Sequence, residues 1–272
     1  MTVLVTGARG AVSAGLLRHL TGAGINVRIA SSTPQPDQTL LNLHDPATFA
    51  TALRGVSQVF LYANAPTAAD FATAAATAGV GHIVVLSSNA VTTVADPDVN
   101  PMAAPFLAAE TALRAGPATV TVLRPGSFSS NARQWMHGIR AKRAVDLPYP
   151  AARVDAVDEG DVAEVAYHTL TDSGLRGATL NLTGPDAISL AEQAHALSAA
   201  LGETITVNRI TREQWKQSAN QYVTGDYAEA LLNYWQALEL HPASISTAVS
   251  DIAGRPATNF HTWVHRNIDM FR

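Results

Sequence analysis

Apolar residues fall along this chain in two rhythms. Short runs of β-branched and aliphatic residues alternate with longer stretches in which apolar positions recur every three or four residues. The alternation begins at once in "TVLVTGARGAVSAGLLRHL" (2–20). Four apolar or β-branched residues run toward Gly7 and Gly10, and Leu16, Leu17 and Leu20 then repeat at helical spacing. This predicts strand, tight turn and helix. "INVRIA" (25–30) and "TLLNL" (39–43) read as a second and a third strand. Asp45 and Pro46 supply an N-cap and a first-turn proline for a helix over "PATFATAL", which Gly55 closes. "SQVFLYA" (57–63), "HIVVLSS" (82–88) and "TVTVLRPG" (119–126) are further strands, separated by an alanine-rich helix over 67–78 and another helix over 102–114. "HIVVLSS" is nearly all apolar, as a strand covered on both faces should be. The pattern predicts an α/β fold built on a Rossmann-type doubly wound parallel sheet.

From about Phe128 the rhythm loosens. "DEGDVAEVAYHTL" (158–170) and "SLAEQAHALSAALG" (189–202) read as helices, "GATLNLTG" (177–184) and "TITVNRI" (204–210) as strands, and the tail as mostly helical. The expected division is a nucleotide-binding domain over 1–127, with later segments returning to it, and a smaller, mostly helical C-terminal substrate lobe over 128–272. "GDYAEALLNYWQALELHP" (225–242) is similar to half of a tetratricopeptide repeat, but no second copy exists to stack on it. It is expected to be an amphipathic helix with aromatic core contacts.

Composition narrows the classes. The net charge is −4 and the longest basic run is "RAKR" (140–143), which argues against nucleic acid as a partner. There is no cysteine, hence no disulfide and no thiolate metal site. The histidines are scattered without a carboxylate at ligand spacing, so no metal site is expected. No long charge-free apolar run suggests a membrane span, and Met1 leads directly into a strand, so a cytoplasmic protein is expected. A homodimer is left open.

The glycine turn carries the first chemistry. Gly7 lets the strand turn sharply, Gly10 lets the backbone approach a phosphate, and the helix starting at Ala11 and Val12 aims its amides at the anion. Ser13 is small enough for close helix–strand packing. After the second strand, "ASSTPQ" (30–35) has no carboxylate to hold ribose hydroxyls. Arg9, with Ser31, Ser32 and Thr33, could instead meet a 2′-phosphate, so NADP(H) is expected over NAD(H).

The stretches "TGARGAVS" (6–13), "VVLSSNAV" (84–91), "AETALRAG" (109–116), "TVLRPGSFSSN" (121–131), "DEGDVAEVA" (158–166), "LTGPDAISLAEQ" (182–193) and "AGRPATNFHTWV" (253–264), in this order, resemble the NmrA-like branch of the atypical short-chain dehydrogenase/reductase superfamily. That resemblance covers nearly the whole chain. It implies an NAD(P)-binding Rossmann protein, either a reductase of quinones and other ketones or alkenes or a nucleotide-binding redox sensor without turnover. By position, it places Gly7, Arg9 and Gly10 on the phosphates, Asn42 near the adenine, and Tyr62, Ala63 and Asn64 along the ribose. Ser87 and Ser88 end the fifth strand, with Ser88 matching the serine that touches the substrate carbonyl. Pro125 and Gly126 border the nicotinamide, and Phe128 and Asn131 face the substrate. Ser32 departs from relatives that carry a 2′-phosphate arginine there.

One further departure matters more. Familiar reductases of the superfamily use Tyr-x-x-x-Lys to protonate an alkoxide, but "NPMAAPFLAAE" (100–110) has neither residue, and the only lysines are Lys142 and Lys216. A quinone or conjugated carbonyl would survive that loss, because its reduced anion is stabilised and water can protonate it. Alternatively another group donates the proton, Ser88 through water or His137 in "RQWMHGIR" (133–140). Imidazole titrates near neutrality, which makes His137 the better acid, although a plain histidine on a helix surface is the favoured reading of that residue. Trp135, Trp215, Tyr222, Tyr234 and Trp235 add aromatic surface that, taken together, suits a small apolar or aromatic organic substrate, although each alone fits core packing. Three functions stay open: an NAD(P)H-dependent oxidoreductase, a non-catalytic NAD(P) sensor acting through a protein partner, and a non-redox isomerase or cyclase.

Overall fold

The computed structural model describes residues 1–218, 223 and 225–272. The chain divides into two compact units, the first formed by residues 1–125, 159–182 and 251–254 and the second by 126–158, 183–250 and 255–272.

The first unit opens with β1 (Thr2–Val5), α1 (Ala11–Gly22), β2 (Asn26–Ser31), β3 (Thr39–Leu40), α2 (Phe49–Leu53), β4 (Gln58–Tyr62), α3 (Ala68–Ala78), β5 (His82–Leu86), α4 (Ala90–Thr93), α5 (Ala104–Arg114) and β6 (Thr119–Pro125). The chain then contributes α6 (Met136–Lys142), β7 (Ala144–Leu147) and β8 (Arg153–Val154) to the second unit. It returns to the first with α7 (Glu159–Thr171) and β9 (Thr179–Leu182). All pairings in the main sheet are parallel, in the order β3-β2-β1-β4-β5-β6-β9. The α/β, Rossmann-type fold expected from the hydrophobic rhythm is therefore what the chain adopts, with one strand more than the six in the expected rhythm, because the segment over 179–182 joins the edge at β6. β3 is shorter than "TLLNL" suggested: the Leu41 amide still bonds the Ser31 carbonyl at 2.9 Å, but the chain then turns away.

The central strands explain the helices around them. Val3, Leu4, Val5, Val59, Phe60, Ile83, Val84 and Val85 are completely buried. Side chains alternate across a strand, so Leu4, Val59, Leu61, Ile83 and Val85 share one core with Phe49, Phe71, Ala75 and Leu113 from α2, α3 and α5. On the other layer α1 and α7 pack together. A Cβ added to Gly15 of α1 would lie only 2.7 Å from the Ala163 Cβ of α7, so the two helices meet across a glycine. This is a packing signal that the sequence carries but that our reading of the first helix passed over.

The second unit adds β10 (Ile188–Ser189), α8 (Leu190–Leu201), β11 (Thr206–Arg209), α9 (Arg212–Ser218), α10 (Gly225–Leu240), α11 (Ala248–Ala253, whose last three residues belong to the first unit) and α12 (Phe260–Asn267). Two small sheets accompany them, β8 with β10 and β7 with β11. α8 starts at a capping box, in which Ser189 and Glu192 exchange hydrogen bonds with each other's backbone amides, and it ends at Gly202 in the left-handed conformation. α10 buries Ala228, Leu232, Trp235 and Leu238, so the aromatic amphipathic helix is a core element. Among the described residues no helix is long and apolar enough to cross a membrane.

One buried polar ladder crosses the sheet at the amino-terminal end of β5. His82, 1% exposed, lies 2.9 Å through Nδ1 from Gln58 Oε1 and 2.8 Å through Nε2 from Thr121 Oγ1. Burial, reinforced by the Arg176 charge, lowers its pKa to about 4. The folded protein therefore binds this proton less readily than the unfolded chain, whose imidazole titrates near 6.5. Stability attached to His82 is complete above the unfolded value and declines as pH falls from about 6.5 toward 4, by on the order of 1.4 kcal/mol per pH unit at most. Thermal melts at pH 7.5 and 5.0 should show a drop in Tm that shrinks in His82→Gln; an identical drop in the variant would remove His82 as its cause.

Candidate functional site

In the first unit the strand order reverses between β1 and β4, and a parallel sheet offers its ligand crevice at such a point, beyond the carboxyl ends of the strands. Following the strand order, that edge presents Ser31 from β2, Gly7 after β1, Tyr62 from β4, Ser87 and Ser88 after β5, and Pro125 from β6.

Gly7 has φ +66°, a conformation that side chains disfavour. Its carbonyl accepts the Gly10 amide at 2.8 Å, closing the turn. Gly10 is the extended N-cap of α1 and brings no capping side chain, so the first amides of the helix have no side-chain acceptor from the cap. Ala11 is exposed beside them, whereas the side chain of Val12 is buried and only its backbone can serve a ligand. Ser13 is fully buried and donates to the Thr6 carbonyl at 2.7 Å, binding the helix to β1 where a third glycine is often found.

A pocket of about 460 Å³ runs along this turn. Its walls include Gly7, Arg9 and Gly10 at the turn, Ser31, Ser32 and Thr33 after β2, and Gln35, Gln38, Asn42 and His44 beyond. No carboxylate lines it among the described residues, and Arg9 is exposed on the turn without an ion pair to another described residue. The Ser31 hydroxyl accepts the Thr33 amide at 3.1 Å and so shapes the loop, leaving Ser32 and Thr33 exposed. Gln35, Gln38 and His44 were not anticipated, because nothing in the spacing of a loop shows which of its side chains fold back on the cavity. A bare-glycine turn, open helix amides and a cation without an acidic neighbour suit the diphosphate and adenosine parts of a dinucleotide.

Other expected residues are placed as follows. The Asn64 amide donates to the Leu43 carbonyl at 2.6 Å and to Thr67 Oγ1 at 2.7 Å, tying the loop after β3 to the start of α3, and the Ala63 amide bonds the Leu86 carbonyl. Ser87 is buried and donates to Glu110 Oε1 at 2.5 Å; Arg124 grips the same carboxylate through Nε at 2.9 Å and Nη2 at 2.5 Å. The polar side chain of α5 thus faces into the sheet. Ser88 is half-buried and accepts the Ala90 amide at 3.2 Å, opening α4. Pro125 is buried at the end of β6.

Within the second unit, Gly126 lies against the Asp155 carboxylate, which would sit 2.1 Å from an added Cβ and which accepts the Ser127 amide at 3.0 Å. Phe128 is half-buried, and Asn131 and His137 are exposed. Trp135 and Trp215, expected to face substrate, belong instead to the hydrophobic core of this unit. Each is 8% exposed, and Trp215 meets Trp235 edge-on at 5.2 Å. Burial of their large apolar surface outweighs display. Tyr222 lies outside the described residues. Among the described residues no group of three or more His, Cys, Asp or Glu could hold a metal ion.

Residues 7–173, more than half of the chain, match the family model described as NAD(P)H-binding. The chain is 34% identical to the (4-alkanoyl-5-oxo-2,5-dihydrofuran-3-yl)methyl phosphate reductase of Streptomyces griseus, covering 99% of each chain. The chain belongs to this NAD(P)H-binding family. It is also 30% identical to the NAD(P)H azoreductase of Xenophilus azovorans, over 95% of each chain. The NADPH-dependent quinone oxidoreductase from Escherichia coli, solved with NADPH, shares its fold with a TM-score of 0.80 at 19% identity, over 98% of each chain. This member of the NAD(P)H-binding family is an NAD(P)H-dependent oxidoreductase, and its α5 carries no Tyr-x-x-x-Lys pair.

The Glu110–Arg124 pair is nearly dry, with side chains 4% and 14% exposed. Removing one partner strands the other charge, so Glu110→Leu should cost about 3–5 kcal/mol in urea unfolding, and adding Arg124→Met should recover much of it. A single variant within about 0.5 kcal/mol of wild type would show that water reaches the pair.

Proposed function

We propose that this protein is an NADPH-preferring reductase that delivers hydride to a conjugated small organic acceptor such as a quinone or an unsaturated carbonyl compound. The observation that carries the cofactor half is the carboxylate-free pocket lined by Arg9, Ser31, Ser32 and Thr33. A ribose diol would find no acceptor pair there, whereas a 2′-phosphate would find a guanidinium and two free hydroxyls. The acceptor half rests on α5. With no tyrosine–lysine pair to protonate an alkoxide, the reaction that fits is one whose product anion is already delocalised.

The bound nicotinamide would supply two electrons and a hydrogen as hydride. The chain's own share is to seat the diphosphate at Gly7–Gly10, hold the 2′-phosphate with Arg9, and offer the Ser88 hydroxyl to the acceptor's oxygen. Addition of hydride to the alkene carbon of a conjugated carbonyl leaves an enolate, and water provides the proton. The substrate named for the Streptomyces griseus relative, a dihydrofuran ring bearing oxo and alkanoyl groups, belongs to this chemical class. The azoreductase relative has an azo acceptor, also conjugated.

Calorimetric titration with NADPH and NADH, followed by an acceptor screen starting from quinones and acylated butenolides, tests both halves. NADPH should bind more tightly, and Arg9→Ala should weaken it by roughly 10- to 150-fold, the worth of one charged hydrogen bond, with little effect on NADH. Equal losses for the two nucleotides would dismiss the 2′-phosphate role. Tight NADPH binding with no turnover of any acceptor would favour the nucleotide-sensor function.

A further inference from the structure

A side chain already covers the glycine turn. A Cβ built on Gly7 would lie 2.5 Å from Tyr62 Cε2 and 2.7 Å from Cδ2, and one built on Gly10 would lie 2.6 Å from Tyr62 Oη. The phenol ring therefore lies across the first glycine, with its hydroxyl at the second. That second glycine is the position where a missing side chain lets a dinucleotide phosphate approach the backbone. Ser13, in the first turn of α1, lies beside this hydroxyl and acts on it electrostatically, while its own hydroxyl donates to the Thr6 carbonyl. The Tyr62 hydroxyl thus stands at the positive end of a twelve-residue helix, where a phosphate oxygen gains most. Phe60 meets the Tyr62 ring edge-on at 6.0 Å, and Tyr62 itself lines the pocket beside the turn.

We propose that Tyr62 is a side-chain gate on the pyrophosphate seat: its hydroxyl holds the anion position in the free protein, and the ring must swing off Gly7 and Gly10 before a dinucleotide can bind. This rests on the cofactor reading above. Two oxygens cannot share the space over Gly10, so binding selects the open rotamer, and the apparent affinity falls by the fraction of molecules that are open. The gate also discriminates between ligands. A diphosphate can take the hydroxyl's place over Gly10 and gain the helix amides, whereas a nucleoside without phosphate gains nothing there to offset opening.

Two readouts test this with the whole protein. In the first, calorimetry compares NADPH binding by wild type, Tyr62→Phe and Tyr62→Ser. Removing the ring should tighten binding about 3- to 10-fold. Tyr62→Phe, which keeps the ring but loses the hydroxyl over Gly10, should fall between the two and guards against a folding defect in the serine variant. In the second, the protein is labelled with 3-fluorotyrosine and followed by fluorine NMR; the resonance missing from Tyr62→Phe should move when NADP⁺ saturates the wild type. Weaker or unchanged binding by Tyr62→Ser, or a Tyr62 resonance that stays in place, overturns the gate and makes Tyr62 an ordinary contact or a bystander. If neither wild type nor variant binds any dinucleotide while their thermal melts stay cooperative, the cofactor reading itself fails, and the gate with it.

Discussion

Parallel strands with nothing exposed on either face are the constraint from which the rest of the first unit follows. Val3, Val5 and Phe60 need cover on the side opposite Leu4, Val59 and Leu61, and a single layer of helices cannot give both. The chain meets this by placing α2, α3 and α5 on one layer and bringing α7 back from beyond residue 158 to join α1 on the other. Once the layers are fixed, the loops at the carboxyl edge have little choice of position. The glycine turn, the Ser31–Thr33 loop and the ends of β4, β5 and β6 fall side by side because their strands do.

The legible part of this fold was the part written in periodicity. "VVLS", "VTVL" and the leucines of α1 declare strand or helix through local pattern alone, and the parallel sheet follows from their alternation. β9 was read as a strand, but its place beside β6 was not foreseen, since pairing partners are not encoded in the strand's own spacing. The site divides the same way. Gly7 and Gly10 stood out because the backbone of the turn asks for glycine, and Arg9 because it is the one charge between them. The tryptophans at 135 and 215 misled, because an aromatic residue has the same sequence signature whether it faces a core or a ligand. Ser87 and Glu110 form a buried bond between a strand end and a helix, and only the folded chain brings the two together.

That bond also clarifies α5. Its buried carboxylate joins Arg124 and Ser87 and stiffens the ends of β5 and β6. Glu110, the one acid of α5, is thereby engaged by Arg124 and Ser87.

The meeting of α1 and α7 at Gly15 and Ala163 has a consequence of another kind. Two positions far apart along the chain share one fixed volume, so neither can drift alone. A methyl gained at position 15 has to be offset by one lost at 163, and among natural variants of this protein the pair should change together or not at all. The nucleotide turn sits at the head of α1, so this silent pairing in the interior also limits how far the turn can wander over evolutionary time.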